Sequence, residues 1–252
     1  MNDNSFLTSI IEKTTKFFKE SNFFKDVIIP INSAGYPFIG IFFVVALIIG
    51  SLSDFLGWIG FFLTAWCVYF FRDPARVLPL KPDVVVSPAD GKILPIKTEL
   101  PPKETKLKEK MRKISIFMNI FNVHVNRVPV SGKVSVVHYE PGKFFNASMD
   151  KASKLNERMT VVIECKDGQK IIMVQIAGLI ARRIKCDLKK NQLVNTGEKF
   201  GIIRFGSRVD LYLPLDYNIG ILEGQTSIGG ETIVSEITSK NSPKKIIKKT
   251  KN

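Results

Sequence analysis

Between Asp26 and Arg72 the chain carries a single charged residue, Asp54, which divides two apolar runs, Phe38–Leu52 and Phe55–Phe71. A stretch this apolar has to be removed from water, either inside protein or inside lipid. At about 1.5 Å per helical residue each run reaches about 23–26 Å, marginal against a hydrocarbon core of about 30 Å. Two short runs in tandem predict a tight apolar helical hairpin over residues 36–71, associated with a membrane. A pair of buried core helices is the alternative, but Trp58, Trp66 and Tyr69 are the residues that gather at a lipid–water boundary. Lys25 precedes the hairpin and Arg72 and Arg76 follow it, so counting basic flanks puts both ends, and the rest of the chain, on the cytoplasmic face of the cytoplasmic membrane. A cleaved signal peptide fits poorly: no basic region stands just before residue 38 and no small-x-small site follows the run. Cys67 follows Trp66 rather than a small residue, which argues against a lipoprotein site.

Upstream of the hairpin, Phe6, Leu7, Ile10, Ile11, Phe17, Phe18, Phe23, Phe24, Val27 and Ile28 recur at helical spacing, with Glu12, Lys13, Lys16, Lys19 and Glu20 between them. Residues 1–35 therefore read as an amphipathic helix broken near Ser21-Asn22, lying either in the lipid interface or on the soluble part.

Beyond Arg72 the pattern changes. Val84–Val86, Lys92–Ile96, Ile114–Met118, Val134–His138, Thr160–Cys165, Lys170–Ile176, Gly201–Phe205, Val209–Leu213 and Thr232–Ile237 are short apolar or β-branched runs. They alternate with turn signals such as Pro88-Ala89-Asp90-Gly91, Lys166-Asp167-Gly168 and Asn195-Thr196-Gly197. Many short strands with no long helical period predict a mainly β fold, a compact antiparallel domain over residues 72–239. The tail 240–252 holds six lysines and no acid and reads as a solvated basic segment.

Several function classes drop out on composition. Cys67, Cys165 and Cys186 are odd in number and widely spaced, which supports neither a disulfide framework nor a cysteine metal site. His124 and His138 are the only histidines, too few and too far apart for a zinc-hydrolase pattern, so no metal is expected. No Walker loop is present. The formal charge is +14, but the tail and the run Lys103–Lys113 carry much of it without interleaved aromatics. It reads as a bias toward an anionic lipid surface plus background composition, not as a nucleic-acid footprint.

The chemistry-bearing segment is Gly201-Ile202-Ile203-Arg204-Phe205-Gly206-Ser207-Arg208-Val209-Asp210-Leu211, two strand-like runs meeting at Gly-Ser. A second Gly-Ser, Gly50-Ser51, shows how weak the dipeptide is alone. At a tight strand junction, however, a serine hydroxyl is held against the preceding carbonyl carbon, and glycine there removes the side chain that would block attack. An ordinary β-turn is the alternative; in the chemical reading, attack by Ser207 on the Gly206 carbonyl would convert the peptide to an ester, and β-elimination would then leave a dehydroalanine that hydrolyses to a pyruvoyl group. Such a ketone is an electron sink of the kind that pyridoxal phosphate supplies elsewhere.

Context strengthens this reading. In order along the chain stand Phe70-Phe71-Arg72-Asp73-Pro74, Val86-Ser87-Pro88-Ala89-Asp90-Gly91-Lys92, Phe117-Met118-Asn119 with Asn122-Val123-His124-Val125-Asn126-Arg127, Pro129-Val130-Ser131-Gly132, and Arg204-Phe205-Gly206-Ser207-Arg208-Val209-Asp210. This ordered set, spanning about residues 36–237, resembles the short bacterial type of phosphatidylserine decarboxylase. The resemblance implies a self-cleaving proenzyme cut between Gly206 and Ser207 into a large chain 1–206 and a small chain 207–252, which remain together as a heterodimer. It implies a covalent pyruvoyl cofactor derived from Ser207, and phosphatidylserine as a substrate decarboxylated to phosphatidylethanolamine through a Schiff base. Asp90 matches the family's processing aspartate. His124 matches the first of two histidines found in long-type relatives, with Arg127 at the second, so a catalytic His124 is expected with its step left open.

Arg204 and Arg208 are candidates for the lipid phosphate or carboxylate, by forked hydrogen bonds. Plain structural roles compete for each nominee: turn chemistry at Asp90, a satisfied core histidine at 124, solvated strand-edge arginines. The competing function is a membrane-anchored β-domain carrier or binding module without catalysis. A pyruvoyl decarboxylase for a soluble substrate keeps the serine chemistry and leaves the apolar hairpin unexplained.

Overall fold

The computed structural model describes residues 29–149, 155–178, 183–204 and 207–237. The expected amphipathic helix, apart from its last residues, and the basic tail lie outside them, as do Phe205 and Gly206. The chain divides into two compact units at Ala75/Arg76.

The first unit is the hairpin. A 3-10 turn at Ser33–Gly35, held by Asn32 Oδ1 accepting from the Ala34 N–H at 3.1 Å, leads into α1 (Tyr36–Gly50), and α2 (Asp54–Phe70) returns. Pro37 fits the first turn of α1, where its missing N–H costs nothing, and Asp54 opens α2 with a negative charge at the positive end of the helix dipole. The helices approach closely through small residues. A Cβ on Gly57 would lie 2.8 Å from the Gly50 Cα, and one on Gly60 2.7 Å from the Ala46 Cβ. Small residues at the crossing and large apolar residues outside are the arrangement of helices packed in lipid. Phe43, Leu47, Ile48, Phe55, Trp58 and Phe62 all point outward and exposed. Ser33–Gly50 is long and apolar enough to cross a membrane, while Asp54–Phe70 is shorter. The hairpin closes at its base through Asn32 N–H to Phe71 C=O at 2.8 Å and Asp73 N–H to Pro30 C=O at 2.6 Å.

The strands of the second unit all pair antiparallel among the described residues, as the alternating runs predict, with one 3-10 turn at Lys103–Thr105 and a single parallel bridge between Lys143 and Asn156. Its strands are β1 (Val84–Val86), β2 (Gly91–Ile93), β3 (Lys97–Glu99), β4 (Met111–Met118), β5 (Val125–Arg127), β6 (Gly132–Glu140), β7 (Arg158–Glu164), β8 (Lys170–Ala177), β9 (Ile184–Cys186), β10 (Leu193–Val194), β11 (Lys199–Ile203), β12 (Ser207–Leu213), β13 (Asn218–Ile219), β14 (Thr226–Ser227) and β15 (Ile233–Glu236). One nine-stranded sheet runs β10-β6-β7-β8-β12-β4-β2-β14 with β3 on β4; β5-β11-β9 and β1-β15-β13 form two smaller sheets.

The central strand β12 is buried at every position, because β8 and β4 pair with both its edges and both its faces are covered. On one face Val209 and Leu211 join Ile114, Ile116, Met118 and Met173, capped by Val85, Phe200, Ile203 and Val234 from the smaller sheets. On the other, Tyr212 packs with Met111, Val162, Ile172, Val174 and Ile176. Each such side chain contributes about 1.5–3 kcal/mol of hydrophobic burial. Ser207 belongs to the first face and Arg208 and Asp210 to the second, by the period of two.

Candidate active site

Ser207 is the first residue of β12, opposite Met118, the last of β4, and Ala177, the last of β8. Three strands therefore end in one row, and their loops gather at that end of the sheet. The Lys92–Phe117 pairing extends the row to Gly91 on β2, so Gly91, Met118, Ser207 and Ala177 cross neighbouring strands, with Gly91 and Ser207 about 10 Å apart at about 4.8 Å per strand. Gly91 is required there. Its φ is +156°, and a Cβ would lie 2.3 Å from the Phe117 carbonyl oxygen, so no side chain fits.

Asp90 stands one residue outside that row, in a turn fastened by buried hydroxyls. Ser87 Oγ donates to the Ala89 carbonyl at 2.7 Å and Ser227 Oγ to the same carbonyl at 3.2 Å. Its carboxylate is divided between two donors: Arg76 Nη2 at 2.6 Å from Oδ2 and the Gly229 N–H at 2.7 Å from Oδ1. The side chains of Arg76 and Asp90 are 13% and 15% exposed, dry enough for the pair to be held in one orientation.

His124 is fully buried at the end of the β4–β5 loop. Its carbonyl accepts the Ile203 N–H at 3.4 Å, which ties it to the strand feeding the Gly206–Ser207 junction. Nδ1 lies 2.9 Å from the Asn122 carbonyl. A carbonyl only accepts, so Nδ1 carries the proton and the basic lone pair of the neutral ring is on Nε2. The loop is itself folded by asparagine side chains, with Asn122 Oδ1 accepting from Asn119 N–H at 2.9 Å and Asn119 Oδ1 from Phe121 N–H at 2.8 Å.

Ser207 is also fully buried. Its Oγ meets Met118 Sδ at 3.8 Å, a weak acceptor, and no strong acceptor holds it among the described residues. Met118 Sδ also receives Asn126 Nδ2 at 3.7 Å, and Asn126 Oδ1 accepts Gln175 Nε2 at 2.7 Å. In such dry surroundings a weakly paired hydroxyl is available as a nucleophile toward a neighbouring carbonyl carbon. Among the described residues no group of His, Cys, Asp and Glu is arranged to hold a metal.

The two arginine nominees part company. Arg208 is 1% exposed and its guanidinium is committed inward: Nε lies 2.8 Å from Asp210 Oδ1, Nη2 donates to Asp210 Oδ2 at 3.2 Å, and Nη1 to the carbonyls of Ala147 and Met149 at 2.9 and 3.1 Å. A substrate phosphate finds no exposed guanidinium there; the side chain braces the β6–β7 loop instead. Asn156 does the same from below, bonding the Phe145 and Ala177 carbonyls at 2.7 Å each. Arg204 is half-buried three residues before Ser207, and burial, reinforced by Arg183, lowers its pKa. Ile203 pairs with Ile184, so Arg204 and Arg183 stand opposite each other just beyond the ends of β11 and β9.

The basic run Lys103–Lys113 enters β4 at Met111, the opposite end from Met118, about 23 Å away along the strand, so it does not flank the serine. Arg76, Asn126, Gln175 and Arg183 were not legible as site residues. Arg76 reads as a flanking charge, Asn126 as part of a motif block, and Gln175 as a polar interruption in a buried strand; that interruption is the one signal the sequence offers.

The family profile of phosphatidylserine decarboxylase matches residues 63–235. Proteins named phosphatidylserine decarboxylase proenzyme from Rickettsia akari and Rickettsia felis are each 56% identical over 218 residues, and one from Rickettsia bellii is 55% identical over the same length. In each case the match covers 86% of this chain and 94% of the relative.

Proposed function

This chain belongs to the phosphatidylserine decarboxylase family, and from that premise we propose that it cleaves itself between Gly206 and Ser207 and then removes the serine carboxylate of phosphatidylserine as carbon dioxide, yielding phosphatidylethanolamine. The observation that carries this reading is the buried, lightly held hydroxyl of Ser207 at the head of the central strand. The non-catalytic carrier reading has no comparable support, since it gives such a hydroxyl nothing to do.

In maturation, Ser207 Oγ attacks the Gly206 carbonyl carbon; the C–N bond breaks and the Ser207 nitrogen takes a proton, leaving an ester. His124 Nε2 is the ring's basic site and serves to carry the hydroxyl proton toward that nitrogen. Loss of the Ser207 Cα proton then breaks Cβ–Oγ, so that Oγ leaves on the Gly206 carboxylate. Water replaces the nitrogen as ammonia, and the small chain 207–252 begins with a pyruvoyl group beside the large chain 1–206. Asp90, clamped by Arg76 and Gly229, supplies a fixed negative charge at this end of the sheet. The pyruvoyl group supplies an electron sink for the carbanion left by decarboxylation. Arg204 with Arg183 attracts the headgroup phosphate, while Arg208 holds the loop wall in place. The apolar hairpin retains the enzyme at the cytoplasmic membrane with its β unit on the cytoplasmic side, where a lipid headgroup is within reach.

The test is mass spectrometry of the purified full-length protein. The expected small chain starts at position 207 and is about 17 mass units lighter than a serine N-terminus requires, because ammonia has been lost. Ser207→Ala should abolish cleavage and decarboxylation together. An intact 252-residue chain in active material overturns the reading.

A further inference from the structure

We propose that Asn126 and Gln175 are positioning residues that, through the Met118 thioether, hold Ser207 Oγ in its attacking rotamer, a role that presupposes the cleavage just described. Ser207, Met118, Asn126 and Gln175 are all fully buried. They form a continuous run of contacts: Gln175 Nε2 to Asn126 Oδ1 at 2.7 Å, Asn126 Nδ2 to Met118 Sδ at 3.7 Å, and Ser207 Oγ to the same sulfur at 3.8 Å. Three of these residues come from neighbouring strands of the large sheet, β8, β12 and β4, and Asn126 from β5 of the smaller β5-β11-β9 sheet; no sequence spacing connects them.

A sulfur acceptor suits the task. A carboxylate or carbonyl would lock the hydroxyl proton in a strong bond and fix the oxygen away from the peptide carbon. A thioether accepts weakly and restrains the rotamer at little cost to nucleophilicity. The thioether is flexible, and Asn126 Nδ2 pins it from the other side; Gln175 in turn fixes the Asn126 amide.

The far end of the relay supplies the second observation. Gln175 Oε1 is buried with no hydrogen-bond partner among the described residues. An unpaired carbonyl in a dry interior is destabilising, and an apolar residue of the same length would remove the penalty. Gly201, which pairs with Asn126, is required by the close approach of β9, since a Cβ there would meet the Lys185 carbonyl oxygen at 2.2 Å, and it also leaves Gln175 Nε2, 3.2 Å from that position, unobstructed. A polar side chain kept at a net cost, two contacts from the nucleophile, points to a function other than packing.

The experiment follows proenzyme conversion to two chains by gel after cell-free synthesis of the full-length protein. Its variants are Asn126→Leu with Gln175→Met, which replaces both amides by apolar groups of similar shape, and Met118→Leu, which keeps core volume and removes the sulfur. The double variant should unfold at or above the wild-type temperature and Met118→Leu, which leaves the buried Asn126 N–H without its sulfur acceptor, a few degrees below it. Each should nonetheless cleave at least about tenfold more slowly, the scale of a lost positioning contact. Hydroxylamine, which captures the ester as a Gly206 hydroxamate and frees an N-terminal serine, should not restore the rate, because the relay acts before the ester forms. If either folded variant cleaves at the wild-type rate, or hydroxylamine restores it, the relay is wrong. If the double variant does not fold, Met118→Leu alone decides. Ser207→Ala run in parallel separates the cases: cleavage in that variant overturns the maturation reading itself.

Discussion

Replacing Arg208 by Met tests whether this arginine is a brace or a substrate ligand. The Arg208 side chain is 1% exposed and that of Asp210 is fully buried. Removing the guanidinium takes the Arg208 charge away from the buried carboxylate and its N–H donors away from the Ala147 and Met149 carbonyls. Breaking one side of a buried pair costs about 3–5 kcal/mol, most of it the stranded charge. For a unit of this size that lowers the unfolding temperature by about 6–20 °C. Arg208→Met with Asp210→Leu removes both charges and should recover most of the loss, since apolar replacement of a buried pair is often neutral. The assay is thermal unfolding of the full-length protein in detergent, beside KM for phosphatidylserine in mixed micelles. A direct ligand would instead raise KM with stability unchanged. The reasoning is refuted if Arg208→Met loses less than about 1 kcal/mol, or if the double variant is as unstable as the single one.

Three further outcomes are expected. Glu104 accepts Thr160 Oγ1 at 2.7 Å and Arg158 Nε at 3.3 Å; burial pushes its pKa up, but these partners outweigh burial and hold it below the ordinary value. A depressed carboxylate stabilises the fold above its unfolded pKa of about 4.3 and loses that contribution as pH falls through the folded value. The stability gap between wild type and Glu104→Gln should therefore narrow in chemical denaturation below about pH 4. Burial first, then Asp167, pushes the Cys165 thiol up to about 11, so iodoacetamide at pH 8 should alkylate it about a hundredfold more slowly than a free thiol, measured by peptide mass mapping. Gly57→Leu should force α1 and α2 apart, since even a Cβ meets the Gly50 Cα at 2.8 Å; the overpacking costs about 1–3 kcal/mol and should appear as faster proteolysis of the hairpin in micelles.

Much of the fold was legible because its signals are local. The hairpin follows from two uncharged runs divided at Asp54, and the long strands β4, β6, β7, β8 and β12 follow from β-branched alternation between turns. The strands not anticipated, β5, β9, β10, β13 and β14, have two or three residues each, too few for a period of two to register; their partners create them. Lys97–Glu99 was missed for a related reason: its polar side chains give no apolar pattern, and pairing with β4 makes it a strand.

The sequence by itself determined the kinds of element and the apolar hairpin, and singled out a Gly-Ser junction, Asp90 and His124 as candidates for chemistry, because composition, spacing and turn residues act within a few positions of the chain. Only the tertiary structure decided which polar groups share a space. Strand order joined β8 and β4 to β12, and packing of the smaller sheet brought Asn126 of β5 to Met118 and Gln175. The same tertiary arrangement turned Arg208 inward onto Asp210, gave Asp90 to Arg76 and sent Lys103–Lys113 to the far end of β4. A period of two tells which face a residue takes, but not which strand lies opposite or which end of the sheet a loop closes; those depend on non-local pairing.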